Sequence, residues 1–312
     1  MSLQEQSIEF KTLDGLTLRG TLYPAIARGA GIVMTPGFAC VKEMLGLPDV
    51  ALHFQSAGVT VLLYDPRSTG LSDGTPRNEI DPVKQAADYS DALTFLSTQA
   101  SVYPSQLFFW GMSFSAVVAL CAATTDKRIR GVLAIAPLTD LTYKPEHRRA
   151  KVLQQCMQDR ASQSAGNEPY YLPLLNEQGE NPAGFGVGLE REEYARIVAA
   201  GRELAKGHVN RTTIQSYYHM AMWQPFGLWA GVAPTPVMFV VPEMDTVSPA
   251  ERQREYFDTK LGNAPRRLHL VEGAGHMDIV QGAHLEGLME VKMRFVQDIL
   301  EGRVEVSGDE TR

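Results

Sequence analysis

Two kinds of apolar pattern run along the chain. The first segments, "SIEFKTL" and "LTLRGTLYP", alternate apolar and polar residues around Asp14-Gly15, a favoured pair for a tight turn. We therefore predict an antiparallel hairpin at the start. Later apolar runs are short and continuous, which is typical of strands buried on both faces of a parallel sheet. The predicted strands are "GAGIVMTPGF", "VTVLLYD", "QLFFWG", "IRGVLAIAP", "TPVMFVVPE" and "RRLHLVEGAGH".

Segments with helical character separate these strands. Asp81 is placed as an N-cap and Pro82 at the first helical position of "PVKQAADYSDALTFLSTQ". Gly58 is placed as the C-terminal cap of a helix near "PDVALHFQSAG". Alternating strands and helices imply crossover connections, so we expect an α/β fold with a mostly parallel, doubly wound sheet after the antiparallel hairpin.

The alternation stops between residues 141 and 233, where no clear strand is visible. Three stretches there predict helices: "PEHRRAKVLQQCMQDR", "LEREEYARIVAAGRELAKG" and "TTIQSYYHMAMW". We predict a core made of residues 1–140 and 234–312, interrupted by a helical insertion over 141–233. Loops at the carboxyl ends of parallel strands border the ligand crevice, so we expect the insertion to form a lid over the active site.

Composition narrows the classes of function. The chain has 312 residues, 44% of them hydrophobic and 21% charged, as in an ordinary globular protein. Its net charge of −7, without a basic cluster, argues against nucleic acid as a partner. Neither a secretory signal nor a membrane-spanning run is visible. Three cysteines without CxxC spacing predict reduced thiols and a cytoplasmic location.

The segment "FFWGMSFSAVVAL" predicts a nucleophile elbow, a sharp turn between a strand and a helix that exposes a serine hydroxyl. The turn is tight, so residues two before and two after the nucleophile must be small. Ser113 has Gly111 and Ser115 at these places, whereas Ser115 would have the β-branched Val117. We therefore predict that Ser113 is the nucleophile, with Ser115 where this motif usually has glycine.

A serine nucleophile needs a base, and the base needs an orienting carboxylate. Of seven histidines, His276 lies in a Gly-rich loop after a predicted strand, so it is the candidate base. Asp245, on the loop after the preceding strand, is the candidate acid, with Glu243 and Asp140 as alternatives. The order Ser113, Asp245, His276 is that of an α/β-hydrolase triad.

Two backbone N–H groups are expected to form the oxyanion hole. One is that of Phe114, which follows the nucleophile, and the other is that of Phe38, after the strand "GIVMTPGF". The sequence has no HExxH motif, Walker loop, GxGxxG after the first parallel strand or clustered His and Cys residues. We therefore expect no metal and no cofactor.

The triad order and the elbow resemble the α/β-hydrolase superfamily. More narrowly, "TPGFACVKE", "WGMSFS" and "VVPEMDTVSP" are similar to the fungal polyketide transferase and thiohydrolase family, which has dienelactone-hydrolase-like relatives. This resemblance implies that an acyl group, often a polyketide held as a thioester on a carrier protein, is cleaved or transferred to water, an alcohol or an amine. In this family the nucleophile maps to Ser113, the acid to Asp245 and the base to His276.

The insertion gives a hint about the substrate. Its aromatic and methionine side chains can either bury the insertion on the core or line an apolar pocket for a bulky acyl group. The residues predicted for such a pocket are Tyr170, Tyr171, Tyr217, Tyr218, Met222 and Trp223. Two other functions stay open at this point: a cyclase or isomerase that uses His276 without an acyl-enzyme, and a homologue that binds a ligand without catalysis.

Overall fold

Eight strands form the central sheet of the computed structural model, which describes residues 4–186, 205 and 207–304. In chain order they are β1 (Gln6–Lys11), β2 (Thr17–Tyr23), β3 (Gly29–Thr35), β4 (Thr60–Tyr64), β5 (Val102–Met112), β6 (Ile129–Ile135), β9 (Val237–Pro242) and β10 (Arg266–Val271). Across the sheet their order is β1-β2-β4-β3-β5-β6-β9-β10. The pairs β1-β2 and β2-β4 are antiparallel, and every other pair is parallel. The sheet therefore confirms the α/β fold and the N-terminal hairpin.

Helices cover both faces of this sheet. Within the described residues the α-helices are α1 (Leu47–Ser56), α2 (Pro82–Ser97), α3 (Phe114–Thr125), α4 (Arg148–Ser164), α5 (Gln215–Met222), α6 (Ala250–Thr259) and α7 (Leu285–Leu300). The 3-10 turns are Pro225–Gly227, Trp229–Val232 and Gly282–His284. Buried residues of α1 and α7 share one core with the sheet, and those of α2, α3 and α6 share the other.

Successive residues of β5 supply these two cores. Phe108 and Trp110 belong to the core under α1 and α7, and Phe109 belongs to the core under α2 and α3. All three side chains are fully buried. Burying each stabilises the fold by about 2–3 kcal/mol. This burial on both faces explains the continuous apolar run, and it fixes the end of β5 where the elbow follows.

The insertion differs in part from the prediction. Besides α4 and α5 it contains an antiparallel pair of two-residue strands, β7 (Tyr171–Leu172) and β8 (Thr212–Thr213). Two residues are too short a run for a hydrophobic pattern to show, so the expectation of no strand was wrong here. The helix predicted from "LEREEYARIVAAGRELAKG" lies outside the described residues, apart from residues 205 and 207.

Candidate active site

The turn between β5 and α3 holds Ser113 in an unusual backbone conformation. Its φ is 56° and its ψ is −121°, a region that residues with a side chain rarely adopt. Such a conformation costs about 1–3 kcal/mol and persists only where the surroundings impose it. Here the Ser113 N–H donates to the carbonyl of Ile135 at 2.8 Å, and the Ser113 carbonyl accepts from the Leu138 N–H at 3.1 Å. The end of β6 therefore fixes the elbow.

Gly111 shows why the elbow requires a small residue two positions before the serine. A Cβ atom at Gly111 would lie 2.4 Å from the carbonyl oxygen of Ser115, far inside van der Waals contact. Ser115 is buried, and its hydroxyl takes part in the turn by accepting from the Met112 N–H at 2.9 Å. The structure thus places Ser113 at the apex of the turn and Ser115 inside it.

Asp245 and His276 meet at the carboxyl ends of β9 and β10. The Nδ1 atom of His276 lies 2.7 Å from Oδ2 of Asp245, and both residues are buried. Asp245 is itself held by the N–H groups of Val247 at 2.9 Å and Ser248 at 2.7 Å, and by Nε2 of Gln253 at 2.9 Å. A carboxylate acceptor at Nδ1 keeps the proton there, so Nε2 keeps the lone pair that a base needs.

The two alternative acids have other partners. Asp140 accepts from Thr142 and pairs with Lys144 at 2.9 Å. Burial opposes ionisation of Asp140, but these contacts hold the pKa of the carboxyl below its usual value. Glu243 is exposed and accepts from the Gly273 N–H at 2.9 Å. Among the carboxylates of the described residues, Asp245 is the one that bonds to His276.

The predicted oxyanion-hole residues lie beside Ser113. Phe114 is the first residue of α3, so its N–H has no partner within the helix, and the helix dipole favours negative charge there. Phe38 follows β3, and its ring packs edge-on against that of Phe114 with centroids 5.2 Å apart. A Cβ atom at Gly37 would lie 3.6 Å from Cβ of Ser113, which shows how closely this loop approaches the elbow.

A cavity of about 150 Å³ opens in front of this arrangement. Ser113 and His276 both line it, together with Gly37 and Phe38. Its walls are mostly apolar, through Leu138, Leu174, Leu175, Phe185, Val247 and Met277. An apolar cavity of this size accommodates a molecule about as large as benzene. The space beside Ser113 therefore suits an apolar acyl segment.

The side chains predicted for the pocket lie elsewhere in the described structure. They are Tyr170, Tyr171, Tyr217, Tyr218, Met222 and Trp223, and none of them lines the cavity. Tyr170 and Met222 are exposed, whereas Tyr217 and Trp223 are buried. Trp223 packs edge-on against Phe114 with centroids 5.5 Å apart. Tyr217 and Trp223 therefore bury the insertion on the core and do not form a substrate pocket.

The sequence prediction missed the cavity residues that the insertion does supply. Leu174 and Leu175 end the segment "YYLPLL", from which the tyrosines were chosen instead. Phe185 and His208 also line the cavity. No sequence motif marks His208. It is recognised only in the structure, where it lines the same cavity as Ser113 although the two residues are 95 positions apart in the chain.

Other chemistries find no support in the part of the chain that the structure describes. The thiol of Cys40 lines the cavity, but burial raises its pKa to about 12, so it stays protonated and does not compete with Ser113 as a nucleophile.

Within the described residues no three His, Cys, Asp or Glu side chains form a group able to hold a metal ion. In those same ranges no helix is long and apolar enough to cross a bilayer.

Sequence comparison agrees with the fold. The profile of the alpha/beta hydrolase family matches residues 32–287, which is most of the chain. The chain therefore belongs to the α/β-hydrolase family. This confirms the resemblance seen in the triad order and the elbow.

Individual relatives narrow the family. The chain is 50% identical to a thiohydrolase of Eupenicillium brefeldianum, over 94% of each chain. It is 46% identical to a polyketide transferase of Stachybotrys chlorohalonatus, over 96% of this chain and 98% of that one. Among solved structures, an α/β-hydrolase of Penicillium sp. superposes with a TM-score of 0.85 at 40% identity, covering 96% of this chain and all of that one.

Proposed function

We propose that the protein is a serine-dependent thiohydrolase or acyltransferase that acts on an apolar acyl ester or thioester. The observation that carries the proposal is the 2.7 Å contact between His276 and Asp245, beside a cavity that Ser113 also lines. The names of the relatives, a thiohydrolase and a polyketide transferase, support the same class of reaction.

The proposed reaction has two halves. Ser113 Oγ attacks the acyl carbonyl while Nε2 of His276 takes its proton, and Asp245 stabilises the imidazolium that forms. The N–H groups of Phe38 and Phe114 bind the oxyanion, each contributing about 3 kcal/mol of transition-state stabilisation. His276 then protonates the leaving thiol or alcohol. Water, an alcohol or an amine next attacks the acyl-Ser113 ester, with the same base.

We propose that the substrate is a polyketide-type acyl group held as a thioester on the carrier domain of a polyketide synthase. The apolar walls around Ser113 support an apolar acyl chain. We also propose a cytoplasmic location. Its support is that Cys40, Cys121 and Cys156 are not joined in disulfides.

The test uses an acyl thioester of N-acetylcysteamine. The wild-type protein should release the thiol, and Ser113→Ala should reduce kcat by about 10⁶-fold because the acyl-enzyme no longer forms. Cys40→Ala is the matched control and should keep the adduct on Ser113, since its thiol is protonated. Intact-mass measurement of a stopped reaction should show the acyl group on the wild type and not on Ser113→Ala.

Each outcome assigns a function. If the wild type transfers the acyl group to an added alcohol or amine, it is a transferase. If it releases only the free acid, it is a hydrolase. If Ser113→Ala keeps its activity while His276→Ala loses it, a cyclase or isomerase without an acyl-enzyme replaces the proposal. If the wild type binds the thioester and forms neither adduct nor product, the protein is a ligand-binding homologue.

A further inference from the structure

Two polar side chains of the cavity wall already have hydrogen-bond partners within the protein. Asn181 Nδ2 donates to the Leu174 carbonyl at 3.0 Å and to the Tyr217 hydroxyl at 2.9 Å. Asn210 bonds twice to Leu175, accepting from its N–H at 3.2 Å and donating to its carbonyl at 2.9 Å. Both carboxamides line the cavity, but their hydrogen bonds serve to hold its wall in place.

His208 lines the same cavity and differs from these asparagines. Among the described residues, neither nitrogen of its ring has a hydrogen-bond partner, and the ring is half-buried. Burial lowers the pKa of His208, so at neutral pH the ring is uncharged and offers one donor and one acceptor. The ring can therefore exchange a hydrogen bond with a polar group that enters the cavity.

The segment that carries His208 is anchored on both sides of the ring. Gly207 packs against the backbone of Gly70, so that a Cβ atom at Gly207 would lie 3.1 Å from Cα of Gly70. Two residues after the ring, Asn210 makes its double contact with Leu175. The Arg211 guanidinium then stacks on the ring of Tyr171 at 4.4 Å. The imidazole is therefore presented to the cavity from a held backbone.

We propose that His208 determines specificity by hydrogen-bonding a keto or hydroxyl oxygen on the acyl chain that occupies the cavity. The inference rests on the proposed function, since it assumes that an acyl chain is bound beside Ser113. The walls around His208 are otherwise mostly apolar, so His208 is the side chain that would offer a hydrogen bond to an oxygen placed there. A site built to bond a polar group rejects an analogue that lacks it, because the site's own polar group is left unpaired.

The test compares hexanoyl-N-acetylcysteamine with its 3-oxo, 4-oxo and 5-oxo derivatives. For the wild type, kcat/KM should be at least tenfold higher for one oxo isomer than for the plain hexanoyl thioester. His208→Phe should remove this preference, so that the favoured oxo thioester and the plain hexanoyl thioester are turned over with similar kcat/KM. His208→Gln should restore part of the preference, because its amide also donates and accepts. His208→Leu provides a second apolar variant if the phenylalanine variant does not fold.

Val209→Ala is the control on the same segment, because Val209 is exposed and should not alter the preference. A wild type without preference among the four thioesters overturns the inference, as does a preference that survives in His208→Phe and His208→Leu. Either result leaves the proposed function standing as long as Ser113→Ala abolishes hexanoyl turnover. Absence of turnover for all four thioesters in the wild type would instead count against the proposed function.

Discussion

Ser115 takes the place of a glycine in the elbow through its hydroxyl group. Its Oγ accepts from the Met112 N–H at 2.9 Å and lies 2.9 Å from the Thr35 carbonyl, to which it donates. Both partners are buried, and Thr35 ends β3, the strand that precedes the oxyanion loop. One hydroxyl thus joins the elbow to the neighbouring strand, which explains why serine is accepted at this position.

Ser115→Ala should lower the free energy of unfolding by about 1–2 kcal/mol, since it leaves a buried N–H and a buried carbonyl without this partner. Ser115→Gly should cost about 1 kcal/mol more, because glycine is a poor residue within α3. Urea unfolding followed by circular dichroism measures both. Equal stability of Ser115→Ala and the wild type would show that the hydroxyl contributes nothing to the elbow.

The candidate site could be predicted from sequence only where residue type and loop position suffice. Ser113, Asp245 and His276 each follow a recognisable strand, and the carboxyl ends of parallel strands converge at one edge of a sheet. His208 follows no strand of the main sheet, and its place at the cavity depends on how the insertion packs on the core. A linear pattern holds no information about that packing.

The α2 helix shows how an element some distance from the catalytic residues supports them. Asp81 caps it, accepting from the N–H groups of Val83 and Lys84 as predicted. At its centre, the Tyr89 hydroxyl donates to the Trp110 carbonyl at 2.9 Å and contacts Thr35 Oγ1 at 2.8 Å. These contacts tie α2 to β5 and β3 just before the elbow and the oxyanion loop.

Asp81→Ala should reduce the free energy of unfolding by about 1 kcal/mol, because two N–H groups at the start of α2 lose their acceptor. Asp81→Asn is the matched control and should stay near the wild type, since asparagine caps equally well. Thermal unfolding of the three proteins measures the difference. An Asp81→Asn variant as unstable as Asp81→Ala would show that the charge matters and the cap does not.

The strands and helices predicted for the core are present in the structure. Each could be predicted because its burial leaves its own pattern of apolar residues in the sequence. The pair β7-β8 was not predicted, since its short strands are stabilised by contacts between distant residues such as Tyr171 and Thr213. The division into a core and an insertion over 141–233 stays a prediction.

Across the whole molecule, Lys292 is the least expected member of a core. It lies on α7, fully buried, and among the described residues the hydrogen-bond partner of its Nζ is Met289 Sδ, at 4.0 Å. Within the described ranges it forms no ion pair with a carboxylate. Burial lowers the pKa of Lys292 to about 7. Burial and the Lys292 charge together lower the pKa of His269, on β10.

Lys292→Met should stabilise the protein, by about 4 kcal/mol near pH 6. The folded pKa of about 7 lies below that of an unfolded lysine, about 10.4. Below pH 7 the folded core therefore carries the full cost of the charge. As pH rises from 7 towards 10 the folded protein releases this proton first, so wild-type stability increases relative to the variant.

Urea unfolding at pH 6, 7.5 and 9 measures the difference in free energy of unfolding between Lys292→Met and the wild type, which should decrease as pH rises. The exposed Lys151→Met is the control, for which the difference from the wild type should not change with pH. If this difference between the wild type and Lys292→Met stays constant from pH 6 to 9, Lys292 does not lose its proton in the folded protein over this range.

The most direct test of the catalytic account is labelling with a fluorophosphonate, followed by peptide mapping. We predict one adduct on Ser113 in the wild type, the same adduct in Ser115→Ala, none in Ser113→Ala and a strongly slowed reaction in His276→Ala. An adduct on another residue, or labelling that persists in folded Ser113→Ala, would contradict it.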